Sequence, residues 1–138
     1  MMTKVEKRLI ISGVQYCDGE RLESNLDSSA AYYRKADKDY IFYKEYQEDG
    51  SVLSCRLTIM DRQLELKKSG NGISILRFCL DGEQECIYQS PLGQLSLRSD
   101  TKKLCIKKND DSLEVLLEYS LYMSGNFMSD YELKIEVK

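Results

Sequence analysis

The chain has 138 residues, 42% hydrophobic and 31% charged, with 20 basic and 23 acidic side chains and a formal net charge of −3. That length suits a single domain over residues 1–138, with a core that needs no covalent staples. Charge so near balance supplies no field for a phosphate backbone, and no apolar run nears the roughly 18 residues that span a bilayer as a helix, so neither nucleic acid nor membrane is an expected partner.

The N-terminal run MMTKVEKRLIISG is broken by charge and lacks the apolar stretch of about 7–15 residues that a secretory leader needs, so the expected location is the cytoplasm. Asp18-Gly19 then marks a turn. Residues 21–33, RLESNLDSSAAYY, read two ways: Leu22, Leu26, Ala30 and Tyr33 recur at near-helical spacing, while Leu22, Ser24, Leu26, Ser28, Ala30 and Tyr32 alternate as a strand. Strand is the preferred reading, because a lone helix would interrupt a meander.

Residues 40–46, YIFYKEY, put Tyr40, Phe42 and Tyr46 on one face and Ile41, Tyr43 and Glu45 on the other. After Asp49-Gly50, the run CRLTI turns Cys55, Leu57 and Ile59 to one side and leaves Arg56 for solvent. Gly70-Asn71-Gly72 is a hairpin signal. In the strand that follows, Leu76, Phe78 and Leu80 occupy one face, and Arg77 shares the other with Ile73, Ile75 and Cys79.

Beyond Asp81-Gly82, Tyr88 ends a strand, and Leu95 and Leu97 begin the next. Pro91, the chain's single proline, has no amide hydrogen for a ladder and so belongs between strands, with Gly93 adding freedom just after it. Asn109-Asp110-Asp111 separates this segment from residues 113–123, where Leu113, Val115, Leu117, Tyr119, Leu121 and Met123 share a face. Gly125-Asn126 leads into Tyr131, Leu133, Ile135 and Val137. Period-two segments joined by short turns, with no crossover helix, predict an all-β fold of about 8–10 antiparallel strands. Closing such a sheet into a barrel removes its edges, and a flattened sandwich is the alternative.

Chemistry is sparse. The chain has no histidine, which removes the commonest general base and metal ligand together. SGNG lacks the strand-to-helix setting of a phosphate loop, and NDDSLE lacks the glycine and alternating ligands of a calcium loop. No cofactor and no metal are expected. The five cysteines, Cys17, Cys55, Cys79, Cys86 and Cys105, contain no Cys-x-x-Cys pair and read as small apolar side chains in a reducing compartment. Ten tyrosines with no tryptophan suit either a packed interior or a cavity for an amphipathic ligand. An inward Arg77 would be an anion-binding group, and a cross-strand ion pair is its plainer role.

Several pieces together carry a resemblance. Tyr-x-Ser-Pro-x-Gly-x-Leu at residues 88–95, with YIFYKEYQEDG, KKSGNG, LRF at residues 76–78, TKKL and LLEYSLYMSG, is collinear over nearly the whole chain with the YwiB-like family of small bacterial proteins, which it resembles. The chain departs from the pattern at Ser90, where threonine is usual, and at Lys68, where arginine is usual. The resemblance implies a lipocalin-like or calycin-like β-barrel in the cytoplasm, of unknown biochemical function, with no established catalytic residues.

The expected function is therefore non-enzymatic binding of a small, apolar or amphipathic ligand in the barrel's interior or mouth. Tyr40, Tyr43, Glu45, Arg77 and Tyr88 are the candidate binding residues. A solid barrel that contacts a protein, a homodimer partner included, is the rival reading.

Overall fold

Alternating side chains let a strand bury one row and solvate the other. Residues 4–138, which the computed structural model describes, use this device ten times, and every regular element among them is a strand. The strands are β1 (Val5–Cys17), β2 (Glu20–Lys35), β3 (Lys38–Tyr46), β4 (Val52–Ile59), β5 (Gln63–Ser69), β6 (Ile73–Cys79), β7 (Gln84–Ser90), β8 (Gly93–Lys108), β9 (Leu113–Met123) and β10 (Asn126–Val137). Each runs antiparallel to its sequence neighbour, and β10 returns to β1, so the meander closes into a barrel rather than a sandwich.

The segment that reads both as helix and as strand is the strand β2. Its ladder with β1 runs without a break from Val5↔Tyr32 to Cys17↔Glu20. Asp18 and Gly19, both at positive φ (50° and 78°), supply the two left-handed residues that a tight hairpin between long twisted strands demands. Pro91 and Leu92 form the corner between β7 and β8. The last turn falls on Ser124 and Gly125, and Asn126 already belongs to β10.

One end of the barrel carries the β2–β3, β4–β5, β6–β7 and β8–β9 turns, and is called here the terminal end because β1 starts and β10 finishes there. The interior of that half is filled: Leu9, Ile41, Leu57, Ile59, Leu64, Phe78, Val115, Leu117, Ile135 and Val137 are each almost wholly enclosed. Phe78 lies against Tyr119, with ring centroids 4.3 Å apart, and Tyr119 stacks on Tyr131 at 4.8 Å. At the opposite, far end the rows thin out, and inward-row residues such as Leu22, Tyr88 and Leu95 are about half exposed.

Two irregularities steer side chains. The β8–β9 register shifts between Thr101 and Lys103, so the inward row of β8 changes from Leu97, Ser99 and Thr101 to Leu104, Ile106 and Lys108. The β9–β10 register shifts between Phe127 and Ser129.

The first shift turns Lys108 inward at the terminal end, where Asp39 of β3 is fully buried. The Asp39 carboxylate accepts hydrogen bonds from Tyr32 Oη (2.5 Å) and Arg34 Nε (2.8 Å), both on β2, and lies 2.5 Å from Lys108 Nζ. Burial alone would raise its pKa, but the donors Arg34, Lys108 and Tyr32 outweigh that and hold it below the usual carboxylate value. The same contact, with burial first, pushes the Tyr32 phenol up to about 12.

Only five residue pairs join β2 to β3, from Ala31↔Phe42 to Lys35↔Lys38. The Asp39 cluster is thus the lock on the short β2–β3 seam. Replacing Asp39 by Asn leaves Arg34 and Lys108, both partly exposed, without their counter-charge and is expected to cost about 1.5–3 kcal/mol at neutral pH. Because the folded-state pKa is depressed, this stabilisation is present above about pH 4, the ordinary carboxylate value, and disappears as pH falls through the lower folded value. Urea unfolding of the wild type and Asp39→Asn should therefore show a wide gap at pH 7 that narrows in acid. A gap independent of pH would contradict this role.

Gly72, in the β5–β6 turn, faces the backbone carbonyl of Gln89 on β7 so closely that a Cβ would overlap it. Gly72→Ala must push β7 away and is expected to destabilise by about 1–3 kcal/mol in the same assay.

Candidate functional site

Two seams between neighbouring strands have the shortest ladders in the wall, and the chain treats them differently. Between β6 and β7 only Ile73↔Gln89, Ser74↔Tyr88 and Ile75↔Ile87 pair. The remainder of that gap is filled from within: Ser99 Oγ of β8 donates to the Arg77 carbonyl at 2.5 Å, and the Arg77 N–H meets Cys86 Sγ at 3.3 Å.

Between β2 and β3 the ladder stops at Ala31↔Phe42. Beyond it, residues 20–30 of β2 pair with β1 alone, and residues 43–46 of β3 pair with β4 alone. The strands diverge toward the far end and leave a lateral cleft of about 590 Å³, within the range of roughly 300–1,000 Å³ usual for small-molecule sites. Val5, Ala30, Ala31, Phe42, Tyr43, Tyr46 and Cys55 give it apolar walls, Ser28, Ser29 and Ser54 add hydroxyls, and Lys4, Glu6 and Lys44 stand at its edge.

The register explains why this wall reaches inside. Ile41, Tyr43 and Glu45 form the inward row of β3, and Tyr43 lies directly opposite Cys55 on β4. Tyr43 is 5% exposed, yet its hydroxyl has no hydrogen-bond partner among the described residues. The neighbouring Cys55 thiol lies close enough to the phenol for a weak contact that acts on the titration of both groups, and its own hydrogen bond goes to the Leu53 carbonyl, at 3.8 Å. Burial raises the Tyr43 pKa and pushes the Cys55 thiol up to about 11, so both groups are neutral and Cys55 is a poor nucleophile at neutral pH. A neutral phenol with an unused O–H, set in an apolar wall, can donate to an oxygen or nitrogen of a ligand.

Of the residues singled out in the sequence, the barrel brings two together. Tyr43 lines the cleft, and Glu45, next on the same inward row, pairs with Lys68 of β5 at 2.9 Å. Tyr40 lies on the outer face, stacked on Tyr33 with centroids 4.9 Å apart. Arg77 is also on the outer face, bonded through Nε to Glu65 at 3.1 Å, and Arg56 reaches the same carboxylate at 3.2 Å, so both arginines serve cross-strand ion pairs. An inward, anion-binding Arg77 is thereby corrected: Phe78 and Leu76 take the inner row of β6. Tyr88 is on the inward row of β7 but at the far rim, opposite Leu95 and remote in the sheet order from the cleft.

Of the cleft residues, sequence reading singled out Tyr43 alone and missed the rest, Ala30, Ala31, Phe42, Tyr46 and Cys55 among them. Their signal is the point at which a ladder stops, and alternation does not encode it.

The comparisons with known proteins bear on the fold. The crystal structure of the YwiB protein from Bacillus subtilis is similar over 99% of this chain and 94% of its own, with a TM-score of 0.87 and 18% sequence identity. A protein of unknown function from Bacteroides ovatus matches over 97% of this chain and 40% of its own, at 11% identity and a TM-score of 0.35, too slight a likeness to carry an argument. The comparison with curated proteins found no match. The family model described as a domain of unknown function, DUF1934, matches residues 10–135, and the chain belongs to that family.

Proposed function

We propose that this barrel is a non-enzymatic binding protein that takes a small, partly apolar molecule into the lateral cleft between β2 and β3, a calycin-like use of the fold by way of its wall. The observation that carries the reading is the apolar lateral cleft with Tyr43 in its wall, behind which the Tyr43 hydroxyl is buried without a full hydrogen-bond partner. A buried polar group in that state costs about 1–3 kcal/mol, and a ligand bearing a hydrogen-bond acceptor relieves the cost. Phe42, Tyr46 and the two alanines supply the apolar contact. A reducing, cytoplasmic setting belongs to this reading, supported by five thiols of which none is in a disulfide.

Thermal-shift screening with fatty acids, isoprenoid acids and aromatic carboxylic acids tests it. At least one of these classes should raise the unfolding midpoint. Tyr43→Phe should weaken that ligand about 3- to 10-fold, the effect of one neutral hydrogen bond, and Ala30→Phe, which fills the cleft, should abolish the shift. Failure of all three classes, or unchanged binding to Ala30→Phe, would contradict the reading.

A further inference from the structure

The edge of β2 beyond the seam is a second unfinished feature, distinct from the cleft. Among the described residues, residues 20–30 pair on one side only, with β1, and so expose a row of backbone donors and acceptors 11 residues long. Natural sheets guard such an edge with a bulge, a proline, a lysine or an inward-pointing charge. From residue 21 to residue 30 this edge has none of these, and the one inward-row charge, Glu20, stands at its extreme end. Its ladder with β1 is regular, and its inward row there is Glu20, Leu22, Ser24, Leu26, Ser28 and Ala30. Leu22 is 51% exposed.

The outward row carries charge of both signs: Arg21, Glu23 and Asp27, with Asn25 between the acids. Pairing this edge antiparallel with itself about Ser24 sets Arg21 opposite Asp27, Leu22 opposite Leu26 and Glu23 opposite Asn25 of the other copy, each twice. Moving the axis one residue either way, which the inward row already disfavours, sets Glu23 opposite Glu23 or opposite Asp27. The register about Ser24 therefore joins unlike charges, buries leucine against leucine and pairs residues 20–28 of both strands. The present partners of these charges are exposed ion pairs, Arg21 with Glu23 and Arg8 with Asp27, which contribute little and can extend across the axis.

We propose that a second copy of this chain docks on the edge of β2, antiparallel about a two-fold axis through Ser24, and makes one sheet continuous through two barrels. The symmetry is closed, so it produces a dimer and no filament.

Sedimentation equilibrium on the full chain should show a monomer–dimer equilibrium. Leu22→Lys should raise the dimer dissociation constant at least about tenfold, a change of about 1.4 kcal/mol. Adding Leu26→Glu, which faces the new lysine across the axis, should restore dimerisation. Mild oxidation should cross-link Ser24→Cys to itself, since antiparallel neighbours lie within disulfide reach, far faster than Glu20→Cys or the wild type. Because Leu26 also packs against the core, the cross-link carries the test if the double variant does not fold. A chain that stays monomeric at its highest soluble concentration, a dimer indifferent to Leu22→Lys, or equal cross-linking at positions 20 and 24 would overturn the proposal.

Discussion

Five residue pairs between β2 and β3 decide what kind of barrel this is. A sheet of ten strands becomes a full barrel only when every seam around it is sewn, and here the β2–β3 seam is sewn over the terminal half alone. What holds it is a buried carboxylate with three donors. Isolated, the Asp39 charge would be too costly to bury; with Arg34, Lys108 and Tyr32 around it, it ties β2 and β3 to β8. Two cations and one anion meet there, and Arg34 keeps contact with solvent, which lowers the cost of the surplus charge.

The consequences run toward the opposite end. Where the lock stops, β2 follows β1 and β3 follows β4, and the interior is reached through the wall. The β6–β7 gap differs, since Ser99 and Cys86 occupy that one and take up the backbone N–H and carbonyl of Arg77. No comparable plug occupies the β2–β3 cleft among the described residues, where Tyr43 keeps an unused hydroxyl instead. The two features share a cause: a ladder that ends early creates both a cleft on the inside of the seam and a free edge on β2.

Much of the architecture was legible in the sequence because period-two patterning reports the inner row directly. Ile41, Tyr43 and Glu45 face in, Leu57 and Ile59 bury, and residues 113–123 line the core as their alternation requires. Dipeptides such as Asp18-Gly19 marked their turns because the left-handed conformation selects them. The β2–β3 turn carried no such mark: Ala36 adopts φ 55° without a glycine, held by the strands and the Asp39 cluster on either side. The register shift after Thr101 was equally silent, and without it Lys108 would be assigned to the wrong face and the lock would be invisible. Arg77 was ambiguous for a related reason, since each row of β6 carries one polar residue, Ser74 or Arg77, among apolar ones, and the pairing of Leu66 with Leu76 and of Leu64 with Phe78 fixes which row faces in. The site lay beyond reading because it depends on where pairing ceases, a property of two strands together.

The central claim is that the β2–β3 ladder is real at one end and absent at the other, and residue-resolved amide hydrogen exchange along β3 measures it most directly. Amides of β3 turned toward β2 should be strongly protected within residues 38–42 and exchange at near open-chain rates within residues 43–46, while amides turned toward β4 stay protected throughout. Uniform protection along the whole β2-facing side of β3 would mean that the seam is closed from end to end, and the cleft would not exist.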